Sequence, residues 1–372
     1  MKKKSFYILA LAALAVSCTN DELTTNETNA VVGFHALTSG VTTRAVNETN
    51  SVNLKDSPFD VYAFTETDGK LFIGKSLSES DYELSQGVEI RHNGSAWDYA
   101  NPADKAYWPT DKKLNFFAFH PQPDPSGGYS VEVFSASKQV VRYSVPTNAK
   151  FQKDLMYAIS RGVDKNTNAG KVKILFKHAL SQACFKAKTE MESMRVDVED
   201  IQIHNIAVDG DLTLPQTGTD ISMKDWNTQE KKHIAFEPKN LETPVMEIGT
   251  EAKELTGKMY LPQELTKWTP ENPETKTIDQ ANAAKQSYLS VLCKIKQNGV
   301  YLWGSEDKAW RLFVPFGVKW EPGKRYVYTL IFGGGYKDDG TQVLDQLRWE
   351  VEEMPWQDAP YDVNADINVN VN

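Results

Sequence analysis

Short apolar or alternating runs, each ended by turn residues, recur from Asn50 to the C-terminus. Val61–Phe64, Leu114–Phe119, Val131–Phe134, Val172–Phe176 and Ile201–Val208 are rich in β-branched and aromatic residues. Tyr288–Ile295, Tyr326–Phe332 and Ile367–Val371 continue the style. Such runs have strand length and strand composition. Asp68-Gly69, Ser126-Gly127-Gly128, Asp209-Gly210, Gly333-Gly334-Gly335 and Asp339-Gly340 are the expected reversals. No stretch carries a long helical period, and no strand–helix alternation points to a parallel sheet. The pattern therefore predicts an all-β chain of sandwiches. A polar, Met- and Glu-containing segment, Thr189–Arg195, separates two strand-rich halves. It is the expected boundary between an N-terminal sandwich over 51–190 and a C-terminal one over 191–372.

The N-terminus follows another rule. Lys2, Lys3 and Lys4 precede an unbroken apolar run of eleven residues, Phe6–Val16. That is too short to span a bilayer as a helix and has the form of a signal peptide, residues 1–17. It ends in Leu14-Ala15-Val16-Ser17-Cys18, which resembles the lipobox of bacterial lipoproteins, although Ala15 departs from the usual Leu or Val. The resemblance implies that Cys18 is lipidated and becomes the new N-terminus, so that acyl chains hold the protein to a membrane. Residues 18–50 are rich in Thr, Asn, Asp and Glu and read as a tether, interrupted by the apolar Val31-Val32-Gly33-Phe34.

Composition adds exclusions. Of 372 residues, 40% are hydrophobic and 24% charged, which rules out a disordered or collagen-like chain. With 41 Lys and Arg against 50 Asp and Glu, the net charge of -9 argues against nucleic acid as a partner. Three cysteines are too few for a disulfide framework; Cys184 and Cys293, both in apolar strand contexts, read as buried thiols.

Several motifs imitate chemistry. Gly69–Ser76 fits the P-loop pattern letter for letter, yet its interior is Leu71-Phe72-Ile73 and no amphipathic helix follows, so it reads as a hairpin. Asp164-Lys-Asn166-Thr-Asn168 opens like a calcium loop, but Ala169 stands where Gly is required and Leu175 where Glu should be. The six histidines lie far apart, with no metal-ligand spacing, and no nucleophile elbow is present. His178 reads as a structural residue rather than a base. Trp108, Trp320 and Trp356 read as core. No cofactor, metal site or enzymatic activity is expected.

Segments in series carry a resemblance that none carries alone. They are the lipobox at Cys18, Thr42-Thr43-Arg44-Ala45, Tyr107-Trp108-Pro109 with Leu114–Phe119, Asp154–Ala158 and Val172–Ser181. Tyr326–Leu330, Gly333–Tyr336 with Asp338–Gly340, and Trp356 complete the set. In this order they are similar to the fimbrillin family of Bacteroidia, the Mfa-like subunits of type V pili. The resemblance implies two tandem transthyretin-like β-sandwich domains and polymerisation rather than catalysis. It implies a lipoprotein carried to the outer membrane, exposed on the cell surface and cut between Arg44 and Ala45 by an Arg-specific protease. Loss of the first strand then opens a groove that a neighbour's C-terminal strand fills, giving a fimbria. In 361–372 the alternation of Ile367, Val369 and Val371 with asparagines suits a donor strand, or one that closes its own domain. The expected partners are other pilus subunits, the outer membrane through the lipid, and a ligand on a host or bacterial surface in adhesion. The competing reading is a surface lipoprotein that binds glycans and never polymerises.

Overall fold

The computed structural model describes residues 30–38, 49, 53–76, 85–146, 151–228, 246–344 and 348–356. From the N-terminus the strands are β1 (Gly33–Thr38), β2 (Phe59–Thr65), β3 (Leu71–Ile73), β4 (Lys75–Ser76) and β5 (Ser85–Gln86). Next come β6 (Val88–His92), β7 (Trp97–Tyr99), β8 (Leu114–His120), β9 (Tyr129–Phe134), β10 (Gln139–Ser144), β11 (Met156–Val163) and β12 (Lys171–His178). β13 (Ser181–Thr189), β14 (Met194–His204), β15 (Asp209–Thr213), β16 (Trp226–Thr228), β17 (Met246–Ile248), β18 (Lys253–Tyr260) and β19 (Gln263–Glu264) follow. A short helix, α1 (Ile278–Ala283), precedes β20 (Tyr288–Gln297), β21 (Val300–Trp303), β22 (Trp310–Pro315) and β23 (Lys319–Trp320). The last are β24 (Lys324–Phe332), β25 (Gly334–Tyr336), β26 (Gln342–Leu344) and β27 (Arg348–Pro355). The chain is all-β, as its pattern predicts.

The first sheet runs β3-β2-β6-β7-β1-β12-β11-β8, and β8 also pairs with β2. Seven strands thereby close on themselves as a small barrel. Closure removes the open edges that otherwise invite aggregation. The barrel interior is apolar: Phe34, Phe59, Val61, Ile90, Phe116, Val172, Ile174 and Phe176 belong to one buried cluster. The opposite face of β2, β8 and β11 is apolar as well. Tyr62, Phe64, Phe117, Phe119 and Tyr157 pack outward into a second cluster, with Tyr129, Phe134, Tyr143 and Leu212 of the β16-β15-β10-β9 sheet. Burial on both faces explains why Val61–Phe64 and Leu114–Phe119 are continuous apolar runs instead of alternating ones.

The remaining strands form two stacked sheets, β18-β13-β24-β27 and β17-β14-β20-β22-β25-β26, with β21 beside β20. Phe185, Tyr328 and Leu330 of the first share a core with Val196, Val198, Leu289 and Val291 of the second. The first half of β14 alternates: Met194, Val196 and Val198 are buried, Arg195 is exposed and Asp197 half-buried. The segment Thr189–Arg195 joins β13 to β14. β15, from beyond it, pairs with β10, from before it, so one core cluster draws on both halves of the chain.

Two expected turns are strands. Asp209-Gly210 opens β15, where Gly210 pairs with Tyr143 and Thr228. A Cβ on Gly210 would lie 3.1 Å from Leu261 Cδ1 and 3.3 Å from the Trp226 ring, so packing rather than reversal calls for glycine. Gly334 and Gly335 belong to β25, paired with β26. The reversal there comes at Asp339-Gly340, where Gly340 has φ +75°. The P-loop look-alike is strand: Leu71–Ile73 is β3, Lys75-Ser76 is β4, and Gly69 (φ +63°) makes the turn after β2.

Phe134 is the joint between barrel and flanking sheet. Its ring lies 3.8 Å from Tyr62, 5.7 Å from Phe119, 5.9 Å from Phe117 and 6.0 Å from Phe64. Phe134→Ala should lower global stability by about 3–5 kcal/mol in denaturant unfolding.

Candidate functional site: the seat of the first strand

The apolar interruption in the N-terminal tether is where the chain enters the fold. Its strand, β1, runs Gly33–Thr38 and so begins two residues later than Val31. Phe34, Ala36 and Thr38 are buried, His35 is exposed, and Gly33 and Leu37 are half-buried. Val31 instead makes an isolated bridge to Tyr107, and Val32, fully buried, donates its N–H to Ala106 O at 2.9 Å. Trp108 N–H returns a bond to Ala30 O at 2.9 Å. This strap gives Tyr107-Trp108-Pro109 a role. The buried Trp108 indole bonds Gly170 O at 3.0 Å and meets Phe116 edge-on, beneath the segment that leads into β1.

The two seams of β1 are unequal. On one side it runs parallel to β12 through six positions, from Gly33↔Lys171 to Thr38↔Phe176. On the other it meets β7 at a single pair, Phe34↔Trp97. Every other seam of the barrel is antiparallel among the described residues. A parallel ladder is slightly weaker per residue, and one pair is a thin closure. Inside the barrel the Phe34 ring sits edge-on to Tyr99 at 5.4 Å. Phe34 and Ala36 fill the space beside Val172, Ile174 and Phe176 of β12. The Thr38 hydroxyl is buried with no hydrogen-bond partner among the described residues. β1 is thus a stave: apolar on its inner face, joined by one full ladder, and distant in sequence from the strands it touches. Removing it would leave an apolar slot between β7 and β12.

Of the residues singled out in the sequence, Cys18, Arg44, Ala45, Ile367, Val369 and Val371 lie outside the described residues. Trp108, Trp320 and Trp356 are core, at most 5% exposed. Cys293 is buried and Cys184 half-buried, with no disulfide between them. His178 is buried, its Nδ1 3.0 Å from Asp154 Oδ1. No group of three or more His, Cys, Asp or Glu is placed to hold a metal among the described residues. No described helix is long and apolar enough to cross a membrane. Sequence reasoning missed the partner of β1, because nothing in 31–38 points to a strand more than 130 residues away. It also missed His120, buried at the end of β8 with both ring nitrogens lacking hydrogen-bond partners among the described residues.

Burial pushes the His120 imidazole down to about 4, against an opposing pull from the Asp154 charge. His204, stacked on Tyr288, is likewise pushed down to about 4 by burial, with the Arg311 charge acting the same way. In the unfolded chain both titrate near 6.5. Between pH 6.5 and 4 the unfolded state therefore binds more protons, and stability is lost as pH falls through that window. The loss expected from His120 is on the order of 2–3 kcal/mol. His120→Phe should remove that share of the acid slope and leave that of His204, as read by thermal unfolding against pH.

Comparison with known proteins bears on the family and the fold. Residues 43–351 match a family described as fimbrillin-like. Among solved structures, a fimbrial protein from Bacteroides vulgatus superposes with a TM-score of 0.59 at 13% sequence identity, over 88% of this chain and 100% of that one. The tip fimbrial protein Mfa3 from Porphyromonas gingivalis, with its C-terminus truncated, gives 0.40 at 9% identity over 81% and 94%. A fimbrial assembly protein from Parabacteroides distasonis gives 0.37 at 10% identity over 87% and 95%. Only the first of these likenesses bears on the fold. No curated protein matches the chain. With the family match running over most of its length, on an all-β fold of stacked sheets, the chain belongs to the fimbrillin-like family.

Proposed function

We propose that the protein is a structural subunit of a cell-surface pilus with a role in adhesion. In this reading it is exported as a lipoprotein, lipidated at Cys18 and held at the outer membrane. Cleavage between Arg44 and Ala45 then severs β1 from the body. The emptied slot accepts a donor strand from a second subunit, and 361–372, with Ile367, Val369 and Val371 on one face, is the donor. Family membership supports the pilus role. One observation carries the polymerisation step: β1 is a separate stave, parallel to β12 through six pairs, joined to β7 by one, and upstream of Arg44. An open apolar slot flanked by unpaired backbone is a template for a strand of matching alternation.

Trypsin treatment of the purified exported chain, followed by intact mass and gel analysis, tests this. The expected result is a stable product beginning at Ala45 that forms a heat-resistant ladder, lost on deletion of 361–372. A processed product that stays monomeric would overturn strand exchange and favour the glycan-binding lipoprotein. A second variant bypasses the protease. Phe34→Asp places an unpartnered carboxylate among Tyr99, Val172 and Phe176 at a cost of several kcal/mol, enough to expel β1. It should form the ladder uncut, whereas the parent chain does so only after cleavage.

A further inference from the structure

The end of the barrel where β1 stops brings together parts of the chain that are far apart in sequence. Thr38 pairs with Phe176, two residues before His178 ends β12. Met156 pairs with both His178 and His120, and Asp154 stands two residues before it. The side chains of Asp154 and His178 are both wholly buried, and Oδ1 and Nδ1 meet at 3.0 Å. The other carboxylate oxygen, Oδ2, accepts the backbone N–H of Thr49 at 2.9 Å, across 105 residues of sequence. The His178 ring in turn lies flat against Trp356, with centroids 4.1 Å apart and planes 4° apart. Trp356 is 1% exposed, and its N–H bonds Gly323 O at 2.8 Å. Thr49 lies five residues beyond Arg44, and Trp356 immediately precedes the tail that carries Ile367, Val369 and Val371.

We propose that the Asp154–His178 pair is a positioning clamp. It fixes the retained chain just downstream of the processing point and, through the same imidazole, the root of the C-terminal tail. The proposal rests on the processing reading given above and adds what happens to the slot afterwards. A buried carboxylate needs donors. Here they are the Thr49 amide and the imidazole, so loosening either weakens the hold on the other. After cleavage only four residues, Ala45–Glu48, would precede the clamped Thr49 in sequence. Fully extended they span at most about 14 Å. A six-residue strand such as β1 is about 20 Å long. While Thr49 is held, the new N-terminus is too short to refill the slot, which stays open to a strand from elsewhere. Trp356, after which the tail begins in sequence, is held at the same end of the barrel.

Hydrogen exchange of the peptide containing Thr49, measured on the full exported chain before and after tryptic processing, tests the clamp. Asp154→Ala should speed exchange at Thr49 by about tenfold or more while β8 amides keep their protection. Trypsin should then continue past Arg44 to the exposed Lys55, the next basic residue. Trp356→Ala should speed Thr49 exchange about threefold, roughly half the energetic effect of a typical hydrogen bond, and Trp356→Phe should restore it by keeping the stack. If Asp154→Ala also loses β8 protection, Asp154→Asn decides, with an expected acceleration of a few-fold because the bond loses its charge assistance. Unchanged exchange at Thr49 in both Asp154 variants would overturn the clamp. A ladder from wild-type protein together with that result leaves the pilus reading standing and removes the clamp. The expected exchange pattern with no ladder from processed wild type does the reverse.

Discussion

A barrel of seven strands is sound only if every seam is closed, and here the last seam depends on one short strand. β1 lays six residues along β12 and touches β7 at one pair. Without it, two sheet edges and an apolar interior would face water together, a combination that folded proteins avoid. The rest of the N-terminal structure is arranged around that requirement. Trp108 and Tyr107 strap the approach to the strand, and Phe34 and Ala36 complete the interior. The same strand is the piece of the folded body that lies upstream of Arg44. Closure of the barrel thus rests on one element set apart in sequence from the strands it joins.

The barrel does not stand alone. Its outer face on β2, β8 and β11 is as apolar as its interior, and the β16-β15-β10-β9 sheet covers it with Phe134 at the centre. That cover is built from strands on both sides of the β13–β14 excursion. The chain leaves the flanking sheet after β10, lays β11 and β12 in the barrel and β13 and β14 in the two stacked sheets, and returns at β15. A continuous core follows, in which Tyr62 and Trp356 belong to the same cluster. Where the chain passes between layers without a strand partner, side chains stand in for one. Gln263 accepts the N–H of Ala207 at 2.8 Å and donates to its carbonyl at 2.9 Å, satisfying a buried stretch that has the composition of a strand but no ladder.

The places where sequence pattern and structure part have a common cause. Ile201–Val208 reads as one strand, yet β14 starts at Met194 and ends at His204, and Asn205 turns the chain with φ +60°. Asp209-Gly210 and Gly334-Gly335 have turn composition and sit in strands. Glycine signals backbone freedom in a sequence, but a tightly packed neighbour demands it equally, and at Gly210 Leu261 and Trp226 are those neighbours. The P-loop match fails for the reason legible in its own letters, since Leu71 and Ile73 are strand residues.

What the sequence determined by itself was local. Strand composition in runs such as Val61–Phe64 and Leu114–Phe119, with turn chemistry between them, defines an all-β chain. The apolar Val31–Phe34 within a polar tether marks a strand set apart from the rest. These are readable because side-chain period and backbone preference act between residues close along the chain. Only the tertiary structure decided that this strand lies parallel to β12, that β2 and β8 close the ring, and that Thr49, Asp154, His178 and Trp356 meet at one end of it. Those contacts join residues from 24 to 178 positions apart. Their free energy comes from burial and hydrogen bonds made when layers stack, which leaves no mark on the spacing of neighbouring residues.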